Sequence, residues 1–239
     1  MDNNLEGQGK NFKSVPYKGI RKIIGERMRE SSVSIPHVTY FCEINAKKLI
    51  MLRNRLNELV EMDGIKISMT GLIIKIAGIA IAKYPRLNSH LLEDRIEASD
   101  EINIGIAVAL DEGLVVPVIK NVERKSIHEV NSTLEVLITK ARSKKLTPEH
   151  FQGGTFTVSN LGMYCVETFT PIINPPETAI LGIGCTVEKP VVIEGQILVR
   201  PMMPLSLSCD HRVIDGAPAA EFLGAIKSLM ENPAKFIYE

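Results

Sequence analysis

Residues 202–217 place a histidine where a strand ends, and this feature most constrains the fold. The apolar run 202–207 (MMPLSL) predicts a strand. It leads to His211, with Asp215 four residues later and Gly216 directly after, where glycine permits a close backbone approach or an unusual dihedral angle. A rigid strand end would fix the imidazole while the turn leaves it accessible, as a general base requires. A surface loop followed by a helix cap is the alternative that this short pattern leaves open.

The remainder of the chain alternates helical and strand patterns, which predicts one α/β domain with two layers. Ser126 and Glu129 form a capping box at the start of one helix. No GxGxxG or P-loop pattern follows a predicted strand, so a doubly wound dinucleotide-binding sheet is not supported. The predicted helices are one that begins near residue 20 and ends before 35, and those at 46–62, 68–84, 127–144 and 217–231, with a short helical turn from 147. The predicted strands are 37–44, 95–98, 102–110, 114–119, 155–159, 179–184, 191–193 and 202–208, with a turn at 111–113.

A second polar strand end lies within residues 153–163 (GGTFTVSNLGM). Phe156 and Val158 alternate with polar residues along a strand that ends near Ser159. One interpretation is that Ser159 only caps the turn. The other is that its hydroxyl donates to a developing oxyanion, a role that typically contributes about 10²–10³-fold in rate. The residues themselves leave both interpretations open.

Charge and cysteine content exclude several classes of function. The chain carries 28 Lys plus Arg and 28 Asp plus Glu, so it has no basic field for nucleic acid or for an anionic membrane. The apolar stretch 67–82 contains Lys75 and is shorter than the ~20 residues of a membrane span, so we predict a buried helix. Four cysteines without a CxxC pair, and the lack of a signal peptide, predict free thiols and a cytoplasmic location. The five histidines lack metal-ligand spacing, so no metal is expected.

With its flanks, the histidine segment resembles a known active-site signature. Residues 206–217 (SLSCDHRVIDGA) are similar to the signature of the dihydrolipoamide acyltransferases, the core components of 2-oxoacid dehydrogenase complexes. Residues 153–163, 169–177 (FTPIINPPE) and 179–182 (AILG) resemble the same family, and the likeness extends from about residue 14 to the C-terminus. It implies the two-layer, mixed-sheet fold of the coenzyme A-dependent acyltransferases, which chloramphenicol acetyltransferase shares. Cys165 departs from the glycine that many relatives have near this point.

The resemblance also implies a reaction and a set of roles. The family transfers an acyl group from S-acyl-dihydrolipoamide to coenzyme A, which is a substrate here, and a separate domain or protein supplies the lipoyl group. It implies that His211 is the general base on the coenzyme A thiol and Ser159 the oxyanion donor, with Thr157 as a weaker candidate. Asp215 would pair with an arginine, for which the first helix offers Arg21 and Arg27. The alternative for Asp215 is a His–Asp relay. The alternatives for the function are an O-acetyltransferase acting on a small hydroxyl acceptor such as chloramphenicol, and a non-catalytic scaffold.

The resemblance further implies an assembly and partners. Family members form a homotrimer with the base from one protomer and the hydroxyl from its neighbour, and the trimers build cages of 24 or 60 subunits. The expected partners are a lipoyl-bearing domain in cis or in trans, a thiamine-dependent decarboxylase and dihydrolipoyl dehydrogenase. We expect residues 1–14 to be a linker or disordered tail and residues 15–239 to be the catalytic domain, either the excised core of a longer protein or a short form. Segments 159–163 and 169–177 favour acetyl as the acyl group.

Overall fold

The computed structural model of the chain describes residues 16–60, 64–110 and 113–233, which form five α-helices, eleven strands and short 3₁₀ turns. The helices are α1 (Ile20–Ser34), α2 (Lys47–Val60), α3 (Met69–Ala82), α4 (Ile127–Arg142) and α5 (Gly216–Glu231). The strands are β1 (His37–Asn45), β2 (Ser89–Leu91), β3 (Ile96–Ala98), β4 (Ile104–Ile106), β5 (Val108–Leu110), β6 (Gly113–Val115), β7 (Val118–Ile119), β8 (Phe156–Asn160), β9 (Ala179–Ile183), β10 (Val187–Ile193) and β11 (Gln196–Asp210).

One mixed, seven-stranded sheet organises the fold. Its strand order is β1-β11-β9-β8-β4-β7, with β10 paired to the first part of β11. Strand β8 runs parallel to both β4 and β9, and the other pairs are antiparallel. Two small hairpins, β2–β3 and β5–β6, lie outside this sheet. The predicted mixed sheet is therefore confirmed.

The two faces of the sheet differ in composition, because side chains alternate between faces along each strand. Val158, Leu181 and Leu207 occupy one row on the face that joins the main hydrophobic core. Helices α3 and α5 cover this face. The ring of Phe222 in α5 packs edge-on against that of Phe156, with the ring centroids 5.9 Å apart. The opposite face carries mainly small and polar side chains, such as Thr157, Ser159 and Ser206, together with Ile180 and Phe41. The helices on the apolar face thus form the predicted second layer of the domain.

Serine side chains cap the starts of α3 and α4. The Ser68 hydroxyl accepts a hydrogen bond from the Gly71 backbone N–H at 3.0 Å, at the start of α3. Ser126 and Glu129 form the predicted capping box of α4. Helix α3 packs in the core with most of its residues buried, as predicted for residues 67–82. In the part of the chain that the structure describes, no helix has the length and hydropathy needed to cross a membrane.

Several predicted strand boundaries are wrong, for identifiable reasons. The predicted strand 102–110 is divided into β4 and β5, because β4 pairs with β8 in the main sheet whereas β5 pairs with β6 in a separate hairpin. The predicted strand 114–119 is divided at Val116-Pro117. Strands β10 and β11 are longer than predicted, because they form one extended hairpin whose polar and proline residues mask the strand pattern. The predicted tail 1–14 and the turn residues 111–112 lie outside the described residues.

Candidate active site

The predicted histidine turn forms at the end of β11. The strand ends at Asp210, whose carbonyl oxygen accepts hydrogen bonds from the backbone N–H groups of Val213 and Ile214. The His211 backbone N–H donates to the Pro36 carbonyl oxygen at 3.1 Å, which ties the turn to the start of β1. The His211 side chain is exposed. The backbone around His211 is therefore fixed while the imidazole remains accessible to a substrate.

The ion pair in this turn involves a different acid from the one expected. Asp210 is buried, and its carboxylate accepts hydrogen bonds from the Arg212 guanidinium at 2.7 and 2.9 Å. This carboxylate raises the pKa of Arg212. Asp215 instead occupies the N-cap position of α5, and no side-chain capping hydrogen bond forms there. The Asp210–Arg212 pair thus stabilises the turn from within.

The two arginines proposed as partners of Asp215 lie elsewhere in the protomer. The Arg27 guanidinium donates to the Pro175 carbonyl oxygen at 2.9 Å, and that of Arg21 lies beside Gly113. Across the described ranges, no ion pair within 4.0 Å includes Asp215. The arginine pairing of Asp215 stays a prediction for the assembled protein.

Ser159 lies in β8, next to Gly182 of β9 and in the same row as Ser206 of β11. Its neighbour Asn160 faces the helices and donates to the Thr70 hydroxyl, so the Ser159 side chain lies on the opposite face of the sheet. Ser159 is half-buried. Among the described residues, its hydroxyl has no hydrogen-bond partner, so it is available to a ligand on that face.

The turn after Ser159 is closed by local hydrogen bonds. The Asn160 carboxamide oxygen accepts from the Gly162 N–H at 2.9 Å, and the Leu161 N–H donates to the Ile183 carbonyl oxygen at 3.0 Å. A Cβ at Gly162 would lie 2.8 Å from the Gly184 carbonyl oxygen, so glycine is needed for this close backbone approach. The Gly162 in the sequence motif is explained by this packing.

Thr157 does not serve as a second oxyanion donor. It is buried, and its hydroxyl donates to the Glu177 carboxylate at 2.6 Å. Thr157, the weaker candidate for the oxyanion donor, is therefore wrong, because its hydroxyl hydrogen is already bonded to Glu177.

The register of the sheet separates the two main candidates within one protomer. The row of Ser159 crosses β11 at Ser206, five residues before His211, and two strand spacings separate β8 from β11. At about 3.4 Å per residue and about 4.8 Å per strand, the Cα atom of Asp210, the last residue of β11, lies roughly 17 Å from that of Ser159, and His211 follows Asp210 in the turn. A base and an oxyanion donor must both reach one reacting group within hydrogen-bond distance. A single protomer therefore does not bring His211 and Ser159 together.

Sequence reasoning missed three polar residues next to the histidine turn: His37, Asn174 and Glu177. His37 Nε2 accepts the Ile173 backbone N–H at 3.1 Å, while its Nδ1 lies 2.8 Å from the Ile35 carbonyl oxygen. Burial raises the pKa of Glu177 to about 7, against the lowering effect of its hydrogen bonds to Thr157 and Asn174. No spacing rule links His37 to the segment that holds Asn174 and Glu177. The signal present in the sequence was the family-like motif 169–177, which contains both Asn174 and Glu177 but does not indicate their contacts.

Cys209, the cysteine next to the histidine turn, is a poor nucleophile. All four cysteines are free thiols, and burial raises the pKa of Cys209 to about 12, with Asp210 adding to the shift. This thiol therefore stays protonated and is a poor nucleophile. In the part of the chain described, no cluster of three His, Cys, Asp or Glu residues could hold a metal ion.

The mixed sheet and its helical layer are the fold of known acetyltransferase structures. The solved structure of chloramphenicol acetyltransferase shares this fold, with a TM-score of 0.55 at 12% identity over 86% of this chain and 94% of that one. The chain belongs to the family of 2-oxoacid dehydrogenases acyltransferases (catalytic domain), whose family model matches residues 9–238.

Similar proteins are acetyltransferase components of larger systems. The chain is 42% identical, over 93% of its length and 54% of the relative's, to the dihydrolipoyllysine-residue acetyltransferase component of the pyruvate dehydrogenase complex of Rickettsia felis. It is 41% identical, over 93% of its length and 56% of the relative's, to the corresponding component of the acetoin cleaving system of Bacillus subtilis. The chain thus spans about half the length of these relatives.

Solved relatives have the same fold throughout. The dihydrolipoamide acetyltransferase of Azotobacter vinelandii, studied for the role of a serine, a histidine and an asparagine in its catalytic mechanism, superposes with a TM-score of 0.91. The identity is 35%, over 95% of this chain and 94% of that one. A structure described as the cubic core of the pyruvate dehydrogenase multienzyme complex gives the same values. The predicted fold class is confirmed.

Proposed function

We propose that this domain transfers an acyl group, with acetyl favoured, from S-acyl-dihydrolipoamide to coenzyme A in a site shared by two protomers. The observation that carries the proposal is the exposed His211, held at the end of β11 in a chain of this family. Acetyl is supported by the relatives of the pyruvate dehydrogenase complex and the acetoin cleaving system.

The spacing of the residues studied in the Azotobacter protein supports these roles. There the serine precedes the histidine by 52 positions and the asparagine follows it by four. Ser159, His211 and Asp215 have the same two spacings. We therefore assign the base to His211 and the oxyanion donor to Ser159. Because an asparagine occupies the third position in that protein, Asp215 takes a supporting role rather than that of a relay.

The proposed chemistry is consistent with ordinary pKa values. A coenzyme A thiol with a pKa near 8.5 is mostly protonated at neutral pH, whereas an imidazole with a pKa near 6.5 is mostly neutral. Transfer of the thiol proton to His211 is uphill by about 2.7 kcal/mol before the site changes either group. The thiolate sulfur then attacks the thioester carbonyl carbon. The C–S bond to dihydrolipoamide breaks, and the leaving thiolate takes the proton back from His211.

Ser159 would act on the intermediate of this reaction. Its hydroxyl would donate to the negatively charged carbonyl oxygen of the tetrahedral intermediate. Because the end of β11 lies roughly 17 Å from Ser159 within one protomer, His211 and Ser159 must come from different copies to meet at one thioester. This requirement supports an assembly of at least two copies. The family resemblance supports a homotrimer, and the cubic core of a solved relative supports a cage of 24 subunits over one of 60.

The proposed partners follow from the complexes to which the relatives belong. They are a lipoyl-bearing domain in cis or in trans, a thiamine-dependent decarboxylase and dihydrolipoyl dehydrogenase. The cytoplasmic location and the domain boundary at residue 15 stay predictions.

Transfer from three donors to coenzyme A tests the proposal. We expect the purified protein to use acetyl-dihydrolipoamide faster than the isobutyryl or succinyl compounds, and the His211→Ala variant to be inactive with all three. Preference for succinyl or isobutyryl would overturn the acetyl assignment. Transfer from acetyl-coenzyme A to chloramphenicol, without activity on dihydrolipoamide, would instead favour the O-acetyltransferase. No activity in any assay would favour the scaffold.

A further inference from the structure

Residues 173–178, here called the clamp segment, are held by contacts from several elements. They lie between the polar face of the sheet and α1, and they end at the start of β9. Three hydrogen bonds connect it to α1 and β1: Ser31 Oγ to the Ile173 carbonyl oxygen at 2.6 Å, Arg27 Nη2 to the Pro175 carbonyl oxygen at 2.9 Å, and the Ile173 N–H to His37 Nε2 at 3.1 Å. The segment is therefore tied to both α1 and β1.

Glu177 lies near the end of the clamp segment and connects it to β8. Its side chain is buried, and one carboxylate oxygen accepts from the Thr157 hydroxyl at 2.6 Å. The other oxygen accepts from the Asn174 carboxamide at 3.1 Å. Thr157 lies two residues before Ser159, on the same face of β8. Glu177 thus holds the strand that carries the oxyanion donor.

The next residue connects the clamp segment to the histidine turn. The Thr178 carbonyl oxygen accepts the backbone N–H of Asp210 at 2.9 Å, one residue before His211. Asp210 and Glu177 line the same small cavity, of about 190 Å³. Glu177 therefore contacts the strand that carries Ser159, and the adjacent Thr178 contacts the turn that carries His211.

We infer that Glu177 is a positioning residue, which fixes the strand of Ser159 relative to the turn of His211 within each protomer. The inference rests on the proposed function, since it acts through the two residues assigned there. Removal of the carboxylate would leave the buried Thr157 hydroxyl and Asn174 carboxamide without this partner. Small displacements of catalytic groups lower turnover strongly, because the reacting atoms must be aligned.

The charged and titratable groups around Glu177 come from four elements. Arg27 of α1 lowers the pKa of the carboxyl group, although burial has the larger, opposite effect. Glu30 of α1 and the Asp210–Arg212 pair of the histidine turn line the adjoining cavity. The other titratable groups are two histidines. His90 of β2 lies with its Nε2 atom 2.9 Å from the carbonyl oxygen of Gly154, which is beside Glu177. His37 of β1 bonds to Ile173 in the clamp segment.

The test compares kcat for Glu177→Ala, Glu177→Gln and Thr157→Val in the assembled protein, with acetyl-dihydrolipoamide and coenzyme A. We expect Glu177→Ala to lower kcat about tenfold, with KM for coenzyme A changed less than about twofold. Glu177→Gln should restore kcat to within about threefold, because a carboxamide can accept from Asn174 and donate to the Thr157 hydroxyl. Adding Thr157→Val to Glu177→Ala should cause little further loss, because both changes break the same hydrogen bond.

A matched control separates positioning from stability. Glu129→Ala removes another hydrogen-bonded carboxylate, in the capping box of α4, and should lower the melting temperature without lowering kcat. Wild-type kcat in Glu177→Ala, or a loss that Glu129→Ala shares, would overturn the inference. If Glu177→Ala does not assemble, unchanged kcat in Thr157→Val would overturn it.

His211→Ala, measured in the same assay, distinguishes failure of the proposed function from failure of the positioning role of Glu177. If it keeps wild-type activity, the proposed function fails. If it is inactive while Glu177→Ala is like the wild type, only the positioning role of Glu177 fails.

Discussion

At the His211 end of the central sheet, contacts from β1, the clamp segment and the turn itself converge on two residues, Asp210 and His211. At the Ser159 end, local contacts close the turn from Asn160 to Gly162, and the Ser159 hydroxyl has no hydrogen-bond partner among the described residues. The backbone at the His211 end is thus fixed by several contacts, whereas the Ser159 end presents a hydroxyl without a partner among the described residues. If both residues act on one thioester as proposed, a second protomer must supply one of them.

The largest expected effect is at the fixed end. His211→Ala should lower kcat by about 10²–10⁴-fold, as expected for loss of a general base, without loss of assembly. The acidic limb of the pH–rate profile should disappear with the imidazole. Steady-state kinetics from pH 5 to 9, alongside light scattering, check both points. Wild-type turnover in this variant would contradict the assignment of the base.

At the other end of the sheet, loss of the Ser159 hydroxyl should destabilise only the transition state. Ser159→Ala should lower kcat and kcat/KM together by roughly 10²-fold, with KM for coenzyme A little changed. Its melting temperature should equal that of the wild type, because the hydroxyl has no hydrogen-bond partner in the described part of the chain. Ser206→Ala is the matched control, a buried serine in the same row of the sheet. An equal kinetic loss in the control would contradict a specific role for Ser159.

The clamp segment should make stability depend on pH. Glu177 has a pKa of about 7 in the folded protein and about 4.5 when unfolded, so its neutral form is favoured on folding. Its contribution is therefore complete below pH ~4.5 and is lost as the pH rises through about 7. Between pH 5 and 8 the wild type should lose about 2–3 kcal/mol of unfolding free energy relative to Glu177→Gln. Thermal melts of both proteins across this range check the difference, and parallel curves would contradict it.

The smallest effects should separate the two acids of the histidine turn. Asp210→Asn removes a buried carboxylate from its arginine, whose side chain is 44% exposed, so solvent screening limits the loss to about 1–2 kcal/mol. Asp215→Asn removes only a charge at the start of α5, worth about 0.3–1 kcal/mol, and should change kcat a few-fold. Melting temperatures and kcat of the two variants provide the comparison. A larger loss of both at Asp215 would instead support a His–Asp relay or an arginine partner in the assembly.

The sequence predicted local features well and long-range contacts poorly. The histidine turn, the capping box of α4 and the buried α3 each depend on residues close together in the chain, and each is confirmed. The breaks between β4 and β5 and between β6 and β7 depend on which strand lies alongside, which a periodic pattern does not encode.

The clamp segment illustrates the same limit within the candidate site. Glu177 meets Thr157 from twenty residues away, and His37 meets Ile173 from 136 residues away. No spacing in the sequence predicts either contact. The role of Ser159 could be assigned only by resemblance, since the residues alone did not distinguish a turn cap from a donor.

Complementation between two inactive variants tests the shared site most directly. Protomers carrying His211→Ala and protomers carrying Ser159→Ala would be co-expressed in equal amounts, so that they assemble at random. If each site takes its base from one protomer and its donor from the neighbour, one site in about four receives both intact residues, and activity should return to about 25% of wild type. If both residues act within one protomer, every site lacks one of them. Activity no higher than that of the separate variants, in assemblies shown by mass spectrometry to be mixed, would contradict the account.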